Sequence, residues 1–268
     1  MYNFSLLFLM FIFFSFCGWL IETTGMSIIN QKYTHRGFLI GPYCPVYGVG
    51  ALCIIFFLKK YLNDPVVLFF MAIIITSFVE YITSFLMEKL FNARWWDYSD
   101  RKFNINGRIC LINSLGFGIL GLFLLYVIEP IVYNSLTLIS PLILILISNI
   151  LLIIFIIDII ISFYTIYKIK SNSNYIRKDN TEEIAKKVKN TLQHNIHLTK
   201  RIFSAFPKVK LLNSNISAIT FKQALEKLEL EKKQHKLKIK NELYKQKLKR
   251  KQTKLNNKKK INKKKSLK

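Results

Sequence analysis

Five long apolar runs, at residues 4–29, 43–58, 65–87, 109–128 and 141–167, leave this chain few ways to fold in water. A hydrocarbon core ~30 Å thick is crossed by about 20 helical residues, and four of the runs reach that length. The second is shorter and is interrupted by Pro45, Gly48 and Gly50. It is expected to form a kinked or partly re-entrant helix, because irregular backbone at membrane depth survives only where protein covers it or a cavity hydrates it. The expected fold is all-α: a polytopic bundle of about five transmembrane helices over residues 1–168, followed by a cytoplasmic tail. The first run has no basic flank before it and no A-x-A site after it, so it reads as a retained anchor and not a signal peptide.

Charge separates the two parts. Residues 1–167 carry 9 Lys+Arg against 8 Asp+Glu, and residues 168–268 carry 31 against 7, so the net charge of +25 falls almost wholly on the tail. Basic residues resist translocation and fix orientation. With the N-terminus outside, Lys32, Arg36, Lys89, Arg94, Arg101, Lys102, Arg108 and the tail all lie inside, and only Lys59 and Lys60 lie outside. The sequence therefore predicts an N-out, C-in protein of the cell membrane. Within the tail, residues 169–210 include an amphipathic helical pattern from about 181 to 206, stopped by Pro207. Residues 211–268 are Lys-rich, helical around 221–248 and disordered towards the end. A polybasic segment of this kind gains about 1 kcal/mol per basic residue near anionic lipid. It lacks the interleaved aromatics of a nucleic-acid binder, so lipid is the expected contact and nucleic acid is not.

Ionisable residues inside apolar helices are costly and mark function by default. Glu22, Glu80 and Asp158 each precede the first inside lysine by a similar interval, which puts all three near mid-membrane at 1.5 Å per residue. They share helix faces with small polar residues: Ser15 and Gly18 with Glu22; Thr76, Ser77, Thr83 and Ser84 with Glu80; Ser162 and Thr165 with Asp158. Such stripes face protein and could line a polar cavity, or the carboxylates could simply pair with Arg36, Arg94 or Arg108. A parallel duplication is a further reading, since the first two hairpins each place a carboxylate in their first helix, a basic inside loop, and two glycines at matched spacing (Gly37 and Gly48; Gly107 and Gly118).

Two inside segments are the most distinctive text. The stretch 35–45 contains Arg36, Gly37, Gly41, Pro42, Tyr43, Cys44 and Pro45, and is read either as a carbonyl-lined binding loop or as a tight turn. The stretch 93–98 interleaves Arg94 and Asp97 with Trp95, Trp96 and Tyr98, more than an interfacial aromatic belt requires. Four cysteines without paired spacing read as buried thiols, and His194 and His197 as a solvated face, so no metal or cofactor is expected. No glycine precedes a lysine, so the chain has no P-loop, and neither a nucleophile elbow nor H-E-x-x-H occurs. The chain is expected not to be an enzyme.

These segments carry a family resemblance. Gly18-Trp19 with Glu22, Arg36 to Phe38, Gly41 to Pro45, Tyr47-Gly48, Glu80-Tyr81, Met87-Glu88, Ala93 to Tyr98, and Asn106 to Arg108 through Asn113-Ser114 resemble the ABC-transporter type IV (CmpB-type) family of integral membrane proteins. The likeness covers residues 4–168, with Ala205 to Pro207 extending it. It implies a permease-like component that works with a separate ATP-binding subunit and, with so few spans, as a homo-oligomer. The candidate site for substrate or protons is Glu22, Arg36, Tyr43, Glu80, Arg94, Trp95, Trp96, Asp97, Tyr98, Arg108, Asn113 and Asp158. The competing expectation is a non-transporting regulatory or scaffold protein whose basic tail binds partners or anionic lipid.

Overall fold

A computed structural model describes residues 2–175, together with Arg201, Ala205, Phe206, Lys210, Leu211 and Gln234. The expected helices around 181–206 and 221–248 and the disordered end fall outside the described residues, apart from those single positions. Everything discussed below belongs to one structural unit, Met1–Phe221.

Among the described residues, six α-helices follow in order: α1 (Tyr2–Asn30), α2 (Pro45–Leu58), α3 (Pro65–Phe91), α4 (Leu111–Phe123), α5 (Glu129–Thr137) and α6 (Pro141–Tyr175). Asp64 caps α3, its carboxylate accepting from the amides of Val66 and Val67, with Pro65 at the first helical position, where its missing N–H costs nothing. Helices α4 and α5 form one continuous rod through a π-helical turn, Leu124–Ile128. The sequence places the end of this span at residue 128, before Glu129-Pro130, but the helix runs on to Thr137. Pro130 cannot donate to the preceding turn, and the π turn immediately before it absorbs that misfit where a plain α-helix would break.

Among the described residues, four stretches are long and apolar enough to cross a membrane: Tyr2–Asn30, Pro65–Phe91, Leu111–Thr137 and Pro141–Tyr167. The second apolar run yields only the 14-residue α2. At 1.5 Å per residue it rises about 21 Å, short of a ~30 Å hydrocarbon layer. Large apolar side chains project outwards along every long helix, including Phe70, Ile74 and Phe78 on α3 and Ile150, Ile153 and Ile157 on α6. A surface this apolar needs lipid around it.

Two apolar clusters hold the bundle at the end remote from the loops at 31–44 and 92–110. Leu6, Leu9, Met10 and Phe14 of α1 bury against Ala51, Val132 and Leu144. Ile54 and Leu58 of α2 bury against Leu68, Ala72 and Leu125. Helix pairs α1–α2 and α3–α4 approach closely, and two glycines explain why. A Cβ on Gly48 would sit 2.2 Å from Ser15 Oγ, and one on Gly118 would sit 2.7 Å from both Phe69 and Ile73. One sequence offset carries Phe11 to Phe69, Ser15 to Ile73 and Glu22 to Glu80; a second carries Gly37 to Gly107, Tyr47 to Phe117 and Gly48 to Gly118. Gly37 and Gly107 both adopt positive φ, 103° and 66°. Matching residues thus make matching contacts in α1–α2 and α3–α4, the geometry of a duplicated hairpin. The paired positions Tyr47 and Phe117 touch edge to face at 5.8 Å, where the two hairpins meet.

Candidate functional site

The loop between α1 and α2 retraces α1. Thr34 N–H donates to Ser27 Oγ at 3.0 Å, Arg36 N–H to Thr23 Oγ1 at 3.3 Å, and Cys44 N–H to the Ser15 carbonyl at 2.9 Å. Ser15 lies 15 residues before the end of α1, so the loop climbs about 22 Å alongside it before α2 begins. That ascent accounts for the short α2 and gives the stretch 35–45 its character as covered, non-helical backbone.

Polar groups at that depth need partners, and two side chains supply them. Asp158 of α6 accepts from the amides of Ile40 (2.8 Å) and Gly41 (2.7 Å), from Tyr43 Oη (2.6 Å) and from Ser162 Oγ (2.9 Å). From the tail, the Arg201 guanidinium donates to the carbonyls of Gly37 (3.5 Å), Phe38 (2.9 Å) and Leu39 (2.5 Å). One carboxylate therefore serves the amides of the loop, and one guanidinium serves its carbonyls. Phe38 completes the anchorage in an aromatic cluster with Phe91, Trp95 and Phe163, and Phe206 stacks edge-on against Trp95 at 5.0 Å.

Glu22 and Glu80 occupy a second polar centre. Arg36 Nε donates to Glu22 Oε2 at 3.1 Å, and Tyr47 Oη donates to Glu22 Oε1 at 2.8 Å. Arg36 also reaches the carbonyl of Ala205 and lies over the Phe206 ring, 5.2 Å from its centroid. Glu80, buried in α3, accepts from Tyr98 Oη at 3.2 Å through Oε1, while its Oε2 is buried without a hydrogen-bond partner among the described residues. Glu22 lies close enough to act electrostatically on both Glu80 and Tyr98. Two carboxylates thus share a neighbourhood that contains one paired arginine.

The other expected site residues form the cap that carries Tyr98. Ala93–Arg94 pairs antiparallel with Lys210–Leu211, and Asn104–Ile105 with Ile109–Cys110. Tyr98 N–H donates to Gly107 O at 2.8 Å and Trp96 Nε1 to Arg108 O at 3.0 Å, folding the segment over the end of α3. Asp97 Oδ1 accepts from Ser99 N–H at 3.0 Å and lies 3.8 Å from Arg94. Arg94 and Arg108 do not reach Glu22, Glu80 or Asp158. They converge on Glu88, at 3.2 and 2.9 Å, and Arg108 also lies over the Tyr81 and Phe85 rings. Asn113 is half-buried in the first turn of α4, beside Ser114, whose hydroxyl bonds Ser77 at 2.8 Å.

Sequence reasoning passed over Glu88, Arg201 and Glu129. Glu129 is buried in α5 and pairs with Lys59 Nζ at 2.7 Å, tying the far end of the bundle together. The signal for Glu129 was its place inside a helix that the sequence appeared to end just before Pro130.

A helical bundle with membrane-length apolar helices, a loop climbing into its interior and buried carboxylates beneath a capped end fits a helical membrane protein. The model of a protein family described as "Putative ABC-transporter type IV" matches residues 9–163, more than half of the chain, and the chain belongs to that family. No curated protein and no solved structure matches it.

Proposed function

We propose that the chain is the permease-like component of a transport system, oriented N-out and C-in in the cell membrane, and that the Glu22–Arg36–Tyr47–Glu80–Tyr98 centre is its polar site. One observation carries this reading: the pair Glu22 and Glu80, at matching positions of two repeated hairpins, retains a carboxylate oxygen with no partner among the described residues. A purely structural pair would be expected to use both oxygens, since a buried polar atom left unsatisfied costs about 1–3 kcal/mol. The orientation rests on the basic residues crowding the loop and tail side. The proposed role is non-enzymatic, and any ATP hydrolysis belongs to a separate ATP-binding subunit, with a second copy of this chain completing the assembly.

Complementation of a deletion strain tests the site. Glu80→Gln is expected to reach normal protein levels in the membrane and to fail to restore the strain's phenotype. Parallel loss of protein and phenotype would instead assign Glu80 a structural role. The regulatory or scaffold alternative draws on one fact, the concentration of 31 basic residues in residues 168–268. Truncation after residue 211 separates the two: a phenotype that survives belongs to the membrane part, and one lost together with partner binding belongs to a scaffold.

A further inference from the structure

The charges around Glu80 do not balance in the way those around the neighbouring acids of the bundle do. Glu22 has Arg36, Glu88 has Arg94 and Arg108, and Glu129 has Lys59. Asp158 has no cation within salt-bridge distance among the described residues, but two amides and two hydroxyls donate to it, which is the solvation a carboxylate needs. Glu80 has neither. It is 7% exposed, receives one tyrosine hydroxyl, and leaves Oε2 buried and empty-handed.

The duplication sharpens the contrast. The offset that carries Gly37 to Gly107 also carries Arg36 to Asn106, so the second hairpin offers an amide where the first offers a guanidinium. Asn106 is turned away in any case, donating to Tyr81 Oη at 3.0 Å. Tyr47, which donates to Glu22, has Phe117 as its counterpart, which lacks a hydroxyl. Both polar supports of Glu22 are therefore missing at Glu80, and the negative charge of Glu22 stands nearby.

A lone carboxylate there would be an uncompensated buried charge near the Arg36-paired Glu22, in a low-dielectric bundle. A neutral carboxyl leaves only one hydroxyl short of an acceptor, a far smaller penalty. A metal ion would relieve the charge as well, but it needs several oxygen ligands at once, and the described residues hold no group of three acidic, histidine or cysteine side chains. We propose that Glu80 is a proton-binding site, carrying an exchangeable proton on Oε2 while Oε1 accepts from Tyr98 and Arg36 remains committed to Glu22. The groups that bear on this proton are Tyr98 from the cap, Glu22 from α1 and, through Glu22, Arg36 and Tyr47. The use of this proton to drive transport rests on the function proposed above; its presence does not.

Infrared spectroscopy of the full-length protein in neutral-lipid nanodiscs reads the proton directly. At neutral pH the wild-type protein is expected to give a protonated-carboxyl carbonyl band that shifts when glutamate is ¹³C-labelled at its side-chain carboxyl and when water is exchanged for D₂O. The band is lost in Glu80→Gln and stays in Glu88→Gln, whose target has two arginines. In Glu80→Asp a protonated carboxyl persists but no longer responds to the glutamate label, which keeps the assignment testable if the glutamine variant does not fold. Arg36→Gln adds a second protonated glutamate, because Glu22 loses its cation. Absence of any protonated glutamate in the wild type, or a band that survives in Glu80→Gln, overturns the proposal. A band abolished by added sodium or potassium chloride overturns it in favour of a metal cation. A missing band combined with a Glu80→Gln transport defect would sink the proton and leave the permease reading standing.

Discussion

Asp158→Asn is the substitution with the largest consequence that can be worked out from the geometry. Oδ1 serves Ile40 N–H and Ser162, and Oδ2 serves Gly41 N–H and Tyr43. Whichever oxygen becomes the amide nitrogen, one backbone N–H and one hydroxyl lose their acceptor. The hydroxyl can rotate and reverse its bond; the backbone amide cannot. Hydrogen bonds to a charged acceptor contribute roughly 1.5–3 kcal/mol each, and a buried orphaned donor costs about 1–3 kcal/mol. With the surviving bonds also weakened by loss of charge, the variant is expected to lose about 3–5 kcal/mol. Equilibrium unfolding of the full-length protein in mild detergent measures this, with Ser162→Ala, which deletes a single hydroxyl bond, expected to lose about 1 kcal/mol as the internal scale. The same variant should free the loop, so thiol labelling of Cys44, buried beside Gly37, should accelerate while that of Cys53 does not. An Asp158→Asn protein within about 1 kcal/mol of wild type, labelling Cys44 at the wild-type rate, would refute the idea that this carboxylate holds the climbing loop.

Other expectations follow from the same contacts. Lys59→Met strands the buried Glu129 carboxylate and should cost about 3 kcal/mol in unfolding free energy, most of it recovered in the Lys59→Met/Glu129→Gln double variant. Tyr98→Phe deletes the hydrogen bond to Glu80 and should cost about 1 kcal/mol by the same assay, without altering membrane insertion. Burial and then the nearby Arg201 charge hold the His35 imidazole below its ordinary range. The unfolded chain therefore binds this proton more readily than the folded one, so stability should fall as pH drops through about 6.5, the unperturbed histidine value. His35→Gln should flatten that acid-side decline in a thermal-melt pH series, and an unchanged slope would remove His35 from the explanation.

The apolar runs and the polar stripes were legible because each follows from one local rule, length for the first and helical spacing for the second. Depth arithmetic placed Glu22, Glu80 and Asp158 at one level, yet the structure engages them differently. Only a tertiary contact, the loop rising along α1 to Ser15, decides that Asp158 faces backbone amides while Glu22 faces Arg36. Pro45, Gly48 and Gly50 suggested a kinked second helix, but α2 runs unbroken from Pro45 to Leu58 and the irregular backbone lies ahead of it, where Arg201, some 160 residues away in a Lys-rich tail, serves the loop carbonyls. The matched glycines suggested a duplication that spacing alone left open. Their packing against Phe11 and Ser15 in one hairpin and Phe69 and Ile73 in the other gives that spacing a physical cause.

The proposed permease role is tested most directly by purifying the tagged full-length protein in mild detergent from its own cells and weighing what accompanies it by mass spectrometry. A separate ATP-binding subunit in fixed stoichiometry, retained in Glu80→Gln, is the expected result. Self-association alone, or partners that leave when the tail is removed and include no ATP-binding subunit, would contradict an ATP-driven permease and favour the scaffold.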